Sequence, residues 1–461
     1  MMKFGGSSVR NGERITNVTQ LVERWSKGNQ LVVVTSAMDS TTDDLFIMAE
    51  KAKGGEASDD RLEEIQKKHH GALLSAVKDS AIREKVHSEV SMLISELRTA
   101  LTGVRSLKEL TPRSLDYITS FGERLMVPIL AGSLESVGLQ VKHFTGGEAG
   151  ILTDEAFGEA TPLMNITKHR VKKTLSPLLE ENIIPVVTGF NGVTQHGEIS
   201  TIGRGGSDYT AMILGSSLDV DEVLIWSDVD GIMTADPRII EGAKVIKQLS
   251  YDEAAEMAIM GARGMHPRAL EPAKDGSIPV RIKNSFNSEA EGTLISKELY
   301  IHTGEVAKAI ASINDLAMIS LSGMSMVGKS GMAGEIFGVL ARAKVNIIMI
   351  SQSISESNIT LMVRKSQLPK ALSSLELALL GKGTVREITF EDDVSVISIV
   401  GAGMKGAPGV AAKLFGAVAE HDINVRMIAQ GSSELNISFV VKEKDSAEAT
   451  RIIHERFNMV N

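Results

Sequence analysis

Met2-Lys3-Phe4-Gly5-Gly6-Ser7-Ser8-Val9 stands at the start of the chain. Its first residues read as a short strand carrying one lysine. Two glycines then turn the backbone with no side chain in the way. Ser7 and Ser8 follow with hydroxyls and amide N–H groups at a helix start. Backbone donors at a helix N-terminus hold anions, and a lysine neutralises them, so the octet predicts a phosphate-binding corner at the end of a strand. It lacks the P-loop spelling, and alone it reads equally as a strand–turn with an exposed lysine.

The chain around the octet has an α/β rhythm. Leu31–Thr35, Ile184–Thr188, Glu222–Trp226 and Ile278–Ile282 are short apolar runs. Helical segments such as Arg61–Val77, Ala81–Leu101 and Ile166–Glu181 lie between them. This alternation predicts a mainly parallel sheet covered by helices on both faces, with ligands at the carboxyl ends of the strands.

The 461 residues suit two to four domains. Hydrophobic residues make up 43% and charged residues 23%, an ordinary globular balance. A net charge of −9 without a basic run argues against nucleic acid or an anionic membrane as partner. Cysteine is absent, which excludes disulfides and thiolate metal sites. No apolar run reaches a membrane span, and the N-terminus lacks a signal-peptide pattern, so a cytoplasmic protein is expected.

Three further segments join the octet. They are Val32-Val33-Val34-Thr35-Ser36-Ala37-Met38 running on to Leu45; Ser120-Phe121-Gly122-Glu123-Arg124-Leu125; and Thr201-Ile202-Gly203-Arg204-Gly205-Gly206-Ser207-Asp208-Tyr209 with Trp226-Ser227-Asp228-Val229-Asp230-Gly231. In order and rough spacing the four resemble the motifs of aspartate kinases in the amino-acid-kinase superfamily, across essentially the whole chain. The resemblance implies transfer of the ATP γ-phosphoryl group to the β-carboxylate of L-aspartate, with Mg²⁺ carried mainly by the ATP phosphates. That reaction opens the route to lysine, threonine and methionine. The length leaves no expected room for a fused homoserine dehydrogenase. Two rivals stand beside this reading: a superfamily kinase with glutamate or a similar acceptor, and a non-catalytic amino-acid sensor with a dead kinase domain.

Phosphoryl transfer to a carboxylate brings anions together, so a protein must neutralise and align them. Lys3 is the candidate cation bridging donor and acceptor, and Asp208 resembles the family's orienting acid. Gly5, Gly6 and Ser7 would present donors to phosphate. The acceptor is already ionised at neutral pH, so no base is needed. Arg204 can make a bidentate fork to the aspartate carboxylate, and Glu123 can receive its ammonium. Ser36, Thr42 and Phe190 match the family's substrate-holding positions. Ser227, Asp228, Asp230, Met233, Asp236, Arg238 and Arg263 match its nucleotide positions. Met233 stands where the family has tyrosine, Arg263 where it has lysine, and Asp43 where it has asparagine.

Beyond residue 305 the sequence repeats at an offset of 78: Ile319–Arg364 aligns with Ile397–Lys442 without a gap. Each copy reads strand, glycine loop, helix, strand, strand, helix, a ferredoxin-like βαββαβ unit. The pair resembles tandem ACT domains. The expected layout is a kinase domain over 1–298, a linker over 299–314, and ACT units over 315–390 and 391–461, the second either self-contained or intertwined with the first. ACT units usually pair edge to edge, which implies a homodimer or larger homo-oligomer.

Gly323-Met324-Ser325-Met326-Val327-Gly328-Lys329-Ser330 matches the Walker A pattern, but no later strand ends in a magnesium-binding Asp. Its repeat partner, Gly401-Ala402-Gly403-Met404-Lys405-Gly406, instead fits the Rossmann pattern. Two aligned loops are poorly explained as two different nucleotide sites, so both are read as ACT loops. The resemblance further implies an amino-acid effector at Asn346, Ile350, Gln352, Asn424, Ile428 and Gln430. Threonine is favoured over lysine, because an amide can bond a hydroxyl but offers no anion for a second ammonium.

Overall fold

The computed structural model describes residues 1–261, 265–297, 306–381 and 385–459. They form two units. The first comprises Met1–Ile232, Lys247–Tyr251 and 265–297. The second comprises Met233–Ile246, 252–261, 306–381 and 385–459.

The first unit is built on strands β1 (Met2–Phe4), β2 (Val33–Thr35), β3 (Val141–Phe144), β4 (Ile184–Thr188), β7 (Val223–Ser227), β8 (Gln248–Leu249), β9 (Val280–Asn284) and β10 (Thr293–Ile295). The hairpin β5 (Asn191–Val193) and β6 (Ile199–Thr201) stands apart from them. The sheet runs β3-β4-β2-β1-β7-β9-β10-β8, and every pair from β3 to β9 is parallel. Only β10 opposes its neighbour β9. Parallel strands buried on both faces read as unbroken apolar runs, which explains Val32-Val33-Val34 and Leu224-Ile225-Trp226. Met2, Phe4, Val33, Val186, Leu224 and Trp226 share one core with helices Gly12–Ser26, Asp59–Ala76, Ser80–Leu107 and Phe121–Glu135. Helix Gly206–Leu218 packs on β1, β2 and β7 and on helix Met164–Glu180. Phe4 and Trp226 stack at 6.1 Å across adjacent strands.

The second unit carries a six-stranded antiparallel sheet of β11 (Ala309–Ser322), β12 (Met349–Gln352), β13 (Asn358–Arg364), β14 (Glu387–Val400), β15 (Met427–Ala429) and β16 (Asn436–Lys442). Its order is β12-β13-β11-β14-β16-β15. Residues Leu316–Ser322 pair with β13, and Val394–Val400 pair with β16. The two long strands also pair with each other: Met318–Ser322 lies along Glu387–Glu391, and Ala309–Ile313 along Val396–Val400. Each repeat therefore takes its fourth strand from the other's long strand. Residues 309–314, expected as linker, are the first part of β11. Ala309, Ile310 and Ile313 are buried there, which holds them in the sheet. Helices Met332–Arg342 and Leu368–Leu375 cover the first repeat, and Val410–Ala419 and Ser446–Arg456 cover the second.

Several amides of the two glycine loops are already engaged. In the first, Met326 N–H donates to Gly323 O, Lys329 N–H to Met326 O, and Gly328 N–H to the Glu356 carboxylate at 2.9 Å. In the second, Gly406 N–H donates to Glu434 at 2.7 Å and Ala402 N–H to the fully buried Glu253 at 2.7 Å. A phosphate cradle needs free amides. Lys329→Ala is therefore expected to leave nucleotide affinity unchanged in a calorimetric titration. Loss of binding by a variant with wild-type melting would contradict this account of the loops.

Candidate active site

Lys3 is the middle residue of β1, between Val34 and Ile225. Met2 and Phe4 enter the core on one face, so the two-residue period sends Lys3 to the other. It is 7% exposed, and a buried ammonium needs a counter-charge. Its Nζ lies 2.6 Å from the Asp208 carboxylate. Asp208 occupies the first turn of helix Gly206–Leu218, where the helix dipole favours an acid. Gly205, at φ +70°, turns the chain into that helix, and a Cβ there would lie 2.2 Å from His266 Cβ.

Glu123 is in the first turn of helix Phe121–Glu135 and is 3% exposed. Its Oε1 accepts the Ala37 amide at 3.1 Å, while Oε2 is buried with no hydrogen-bond partner among the described residues. Burial pushes its carboxyl up to about 8, against the pull of the Ala37 amide, its own amide, Lys3 and the nearby Ser207 hydroxyl. Gly122 lets the helix close on the Ala37–Thr42 segment: a Cβ there would stand 2.8 Å from Ala37 Cβ and 3.0 Å from Thr42 Oγ1. Ser36 follows β2, its amide bonded to Phe4 O at 3.0 Å.

The glycine corner closes on the same segment. Gly5 N–H donates to Trp226 O, Ser8 N–H to Gly5 O, and Asp39 N–H to Gly6 O. The amides of Gly6 and Ser7 have no hydrogen bond among the described residues and remain available to an anion. Arg204 lies between β6 and helix Gly206–Leu218, is exposed, and makes no ion pair among the described residues. Phe190, just past β4, has φ +71°, a strained value for a bulky residue. Its amide bonds Thr210 Oγ1 at 3.0 Å and its carbonyl accepts the Ile202 amide at 3.0 Å, which ties it to the Arg204 loop.

Lys3, Gly5, Gly6, Ser7, Ser36, Thr42, Glu123 and Asp208 are thus drawn to the carboxyl ends of β1 and β2, with Phe190 and Arg204 on adjoining loops. The nucleotide set is not gathered in the same way. Ser227, the last residue of β7, donates to Asp228 at 3.2 Å. Asp230 accepts the Asn284 and Asn287 side-chain amides at 2.9 and 3.1 Å. Met233, Asp236 and Arg238 belong to the second unit, where the Asp236 carboxylate binds the Arg238 guanidinium. Arg263 lies outside the described residues. Sequence reasoning missed Asn284, Ser285 and Asn287. Ser285 hydrogen-bonds Ser8 at 2.9 Å and Ser227 O at 3.0 Å. Their signal was an Asn-Ser pair directly after an apolar parallel strand, the position at which such sheets bind ligands.

In the second unit Gln352 ends β12 and lines a cavity of about 380 Å³ with Met326, Lys329, Ser330, Glu356 and Ile359. Ile350 is exposed on the same strand, and the Asn346 amide donates to Gln367 Oε1 at 3.4 Å. Asn424, Ile428 and Gln430 hold the matching positions of the second repeat and are exposed.

The amino acid kinase family model matches residues 1–284, and the ACT domain model matches 319–379 and 397–457. The chain is 32% identical to the aspartokinase of Geobacillus stearothermophilus, over 100% of this chain and 97% of that protein. E. coli aspartokinase III in complex with aspartate and ADP superposes with a TM-score of 0.82 at 28% identity, covering 99% of this chain and 98% of that one. The same enzyme in complex with lysine and aspartate gives 0.81 at 27%, with the same coverage. A buried lysine–carboxylate site at the ends of parallel strands, joined to paired ACT repeats, agrees with these matches: the chain belongs to the amino acid kinase family, as an ATP-dependent aspartate kinase with an ACT regulatory half.

Proposed function

We propose that Lys3, held by Asp208, is the cation that joins the ATP phosphates to the β-carboxylate of L-aspartate during transfer. The buried 2.6 Å pair carries this reading. The free amides of Gly6 and Ser7, with Gly5 leaving the backbone bare, suit phosphate oxygens. Asp208 aims Lys3 and keeps it from sweeping through other rotamers. Glu123 takes the ammonium of aspartate, and its buried carboxyl, held above the ordinary range, supports that role. Arg204 takes the α-carboxylate, with Ser36, Thr42 and Phe190 bounding the substrate. Ser227, Asp228 and Asp230 lie beside the nucleotide, and Met233, Asp236, Arg238 and Arg263 complete that set by family position. Mg²⁺, a hard cation that favours oxygen ligands and keeps several waters, would be held mainly through the ATP phosphates. When bound, it would offset phosphate charge.

The kinase domain is taken as 1–298, and the paired repeats as its amino-acid sensors. The exposed edge strands β12 and β15, with Ile350 43% and Ile428 48% exposed, support edge-to-edge pairing into a homodimer or larger. Gln352 on the cavity wall supports a hydroxyl-bearing effector, threonine, over lysine. Glu356 lines the same cavity, but its carboxylate is engaged by Gly328.

Lys3→Ala is expected to fold, to melt lower because Asp208 is left buried without its cation, and to lose on the order of 10²–10³ in turnover. Near-normal turnover in the folded variant would remove Lys3 from the reaction. Threonine is expected to inhibit the wild type more strongly than lysine or methionine, and Gln352→Ala to weaken that inhibition. Inhibition by lysine alone, or threonine inhibition untouched in both Gln352→Ala and Gln430→Ala, contradicts the effector assignment. A monomer in sedimentation would contradict the edge pairing.

A further inference from the structure

Asp116 is a carboxylate that the reaction does not use, yet it is 2% exposed and accepts three hydrogen bonds. Its Oδ2 receives the backbone amides of Thr201 at 2.7 Å and Gly158 at 2.9 Å, and its Oδ1 receives the Thr201 hydroxyl at 2.8 Å. Thr201 is the last residue of β6, directly before Ile202-Gly203-Arg204. Its own carbonyl accepts the Ala160 amide at 2.9 Å, so the stem of the Arg204 loop has its polar groups satisfied by Asp116 and its neighbours. At its other end, Asp116 sits in helix Pro112–Thr119, and its carbonyl accepts the amide of Ser120, where helix Phe121–Glu135 begins. That second helix delivers Glu123.

We propose that Asp116 is a positioning residue for aspartate recognition: its buried carboxylate fixes the Arg204 loop against the helix pair that delivers Glu123, and so sets the spacing between the charges that read the substrate's carboxylate and ammonium. The proposal rests on the reading of Arg204 as the partner of the aspartate carboxylate. Among the described residues Arg204 has no ion pair to hold it, and two residues of its loop are glycines, so the loop stem supplies its order. Removing the acceptor would orphan three donors, two of them backbone amides that cannot turn away. An asparagine would keep the clamp. Its carbonyl can accept both amides, and its NH₂ can donate to the Thr201 hydroxyl, which rotates to accept.

The test is steady-state kinetics with aspartate and ATP varied separately, alongside thermal melting, for the wild type, Asp116→Ala, Asp116→Asn, Thr201→Val and Arg204→Lys. Asp116→Ala is expected to raise the KM for aspartate about tenfold, with kcat and the KM for ATP within about twofold. Asp116→Asn is expected to recover most of that loss. Thr201→Val deletes only the hydroxyl bond and is expected to raise the KM for aspartate a few-fold. It decides the matter if Asp116→Ala does not fold. Arg204→Lys is expected to raise the KM for aspartate while sparing that for ATP. If it does not, the assignment of Arg204 falls and the proposal falls with it. If it does, the proposal alone is overturned by a folded Asp116→Ala with unchanged KM for aspartate, by equal damage to both KM values, or by an Asp116→Asn as impaired as Asp116→Ala.

Discussion

A lysine in the middle of a buried parallel strand is the constraint around which the site is arranged. A charged ammonium costs several kcal/mol to bury unless it is paired, so Lys3 obliges the fold to supply an anion on the far side of β1. Asp208 is that anion, delivered by the first turn of a helix that packs on β1, β2 and β7. The pair is shielded on both sides by apolar strands, which keeps the local dielectric low and the interaction strong. The same shielding makes a second carboxylate nearby expensive. Glu123 shows the cost: with Lys3 already matched by Asp208, burial holds its carboxyl far above the usual carboxylate range. The site therefore pairs Lys3 with Asp208, while burial holds the Glu123 carboxyl above its ordinary range.

The regulatory half solves a different problem. Two repeats of similar sequence could each close on themselves, yet each long strand contributes to both. Alternation explains why. Ile313, Leu316, Met318, Val394 and Val396 form one cluster on one sheet face, so neither long strand can be shortened without opening a shared core. The exchange places both repeats in one continuous sheet.

Local pattern carried much of this fold to the reader of the sequence. The runs at Ile184–Thr188, Glu222–Trp226 and Ile278–Ile282 became β4, β7 and β9 within two residues, because buried parallel strands have an unbroken apolar signature. Lys3 and Asp208, singled out by their motifs, are brought together as an ion pair, Lys3 from a strand and Asp208 from a helix first turn. The pairing of Ala309–Ile313 with Val396–Val400 was not legible: a register between distant segments leaves no local trace, and 309–314 passed for a linker. Asp116 was missed for the same reason, since its three donors lie more than forty residues away in the chain. The nucleotide segment read as one motif, but its residues divide between the two units.

On the role proposed for it, Glu123 stands largely protonated until the substrate's ammonium arrives. A group whose carboxyl is raised to about 8 carries a proton at neutral pH, and an adjacent cation lowers that value and expels the proton. Calorimetric titration of the enzyme with aspartate at pH 7, in two buffers of different ionisation enthalpy, measures this directly. The account predicts release of close to one proton by the wild type and none by Glu123→Gln. A wild type that binds aspartate without releasing a proton, or a Glu123→Gln variant that releases as much, would contradict it.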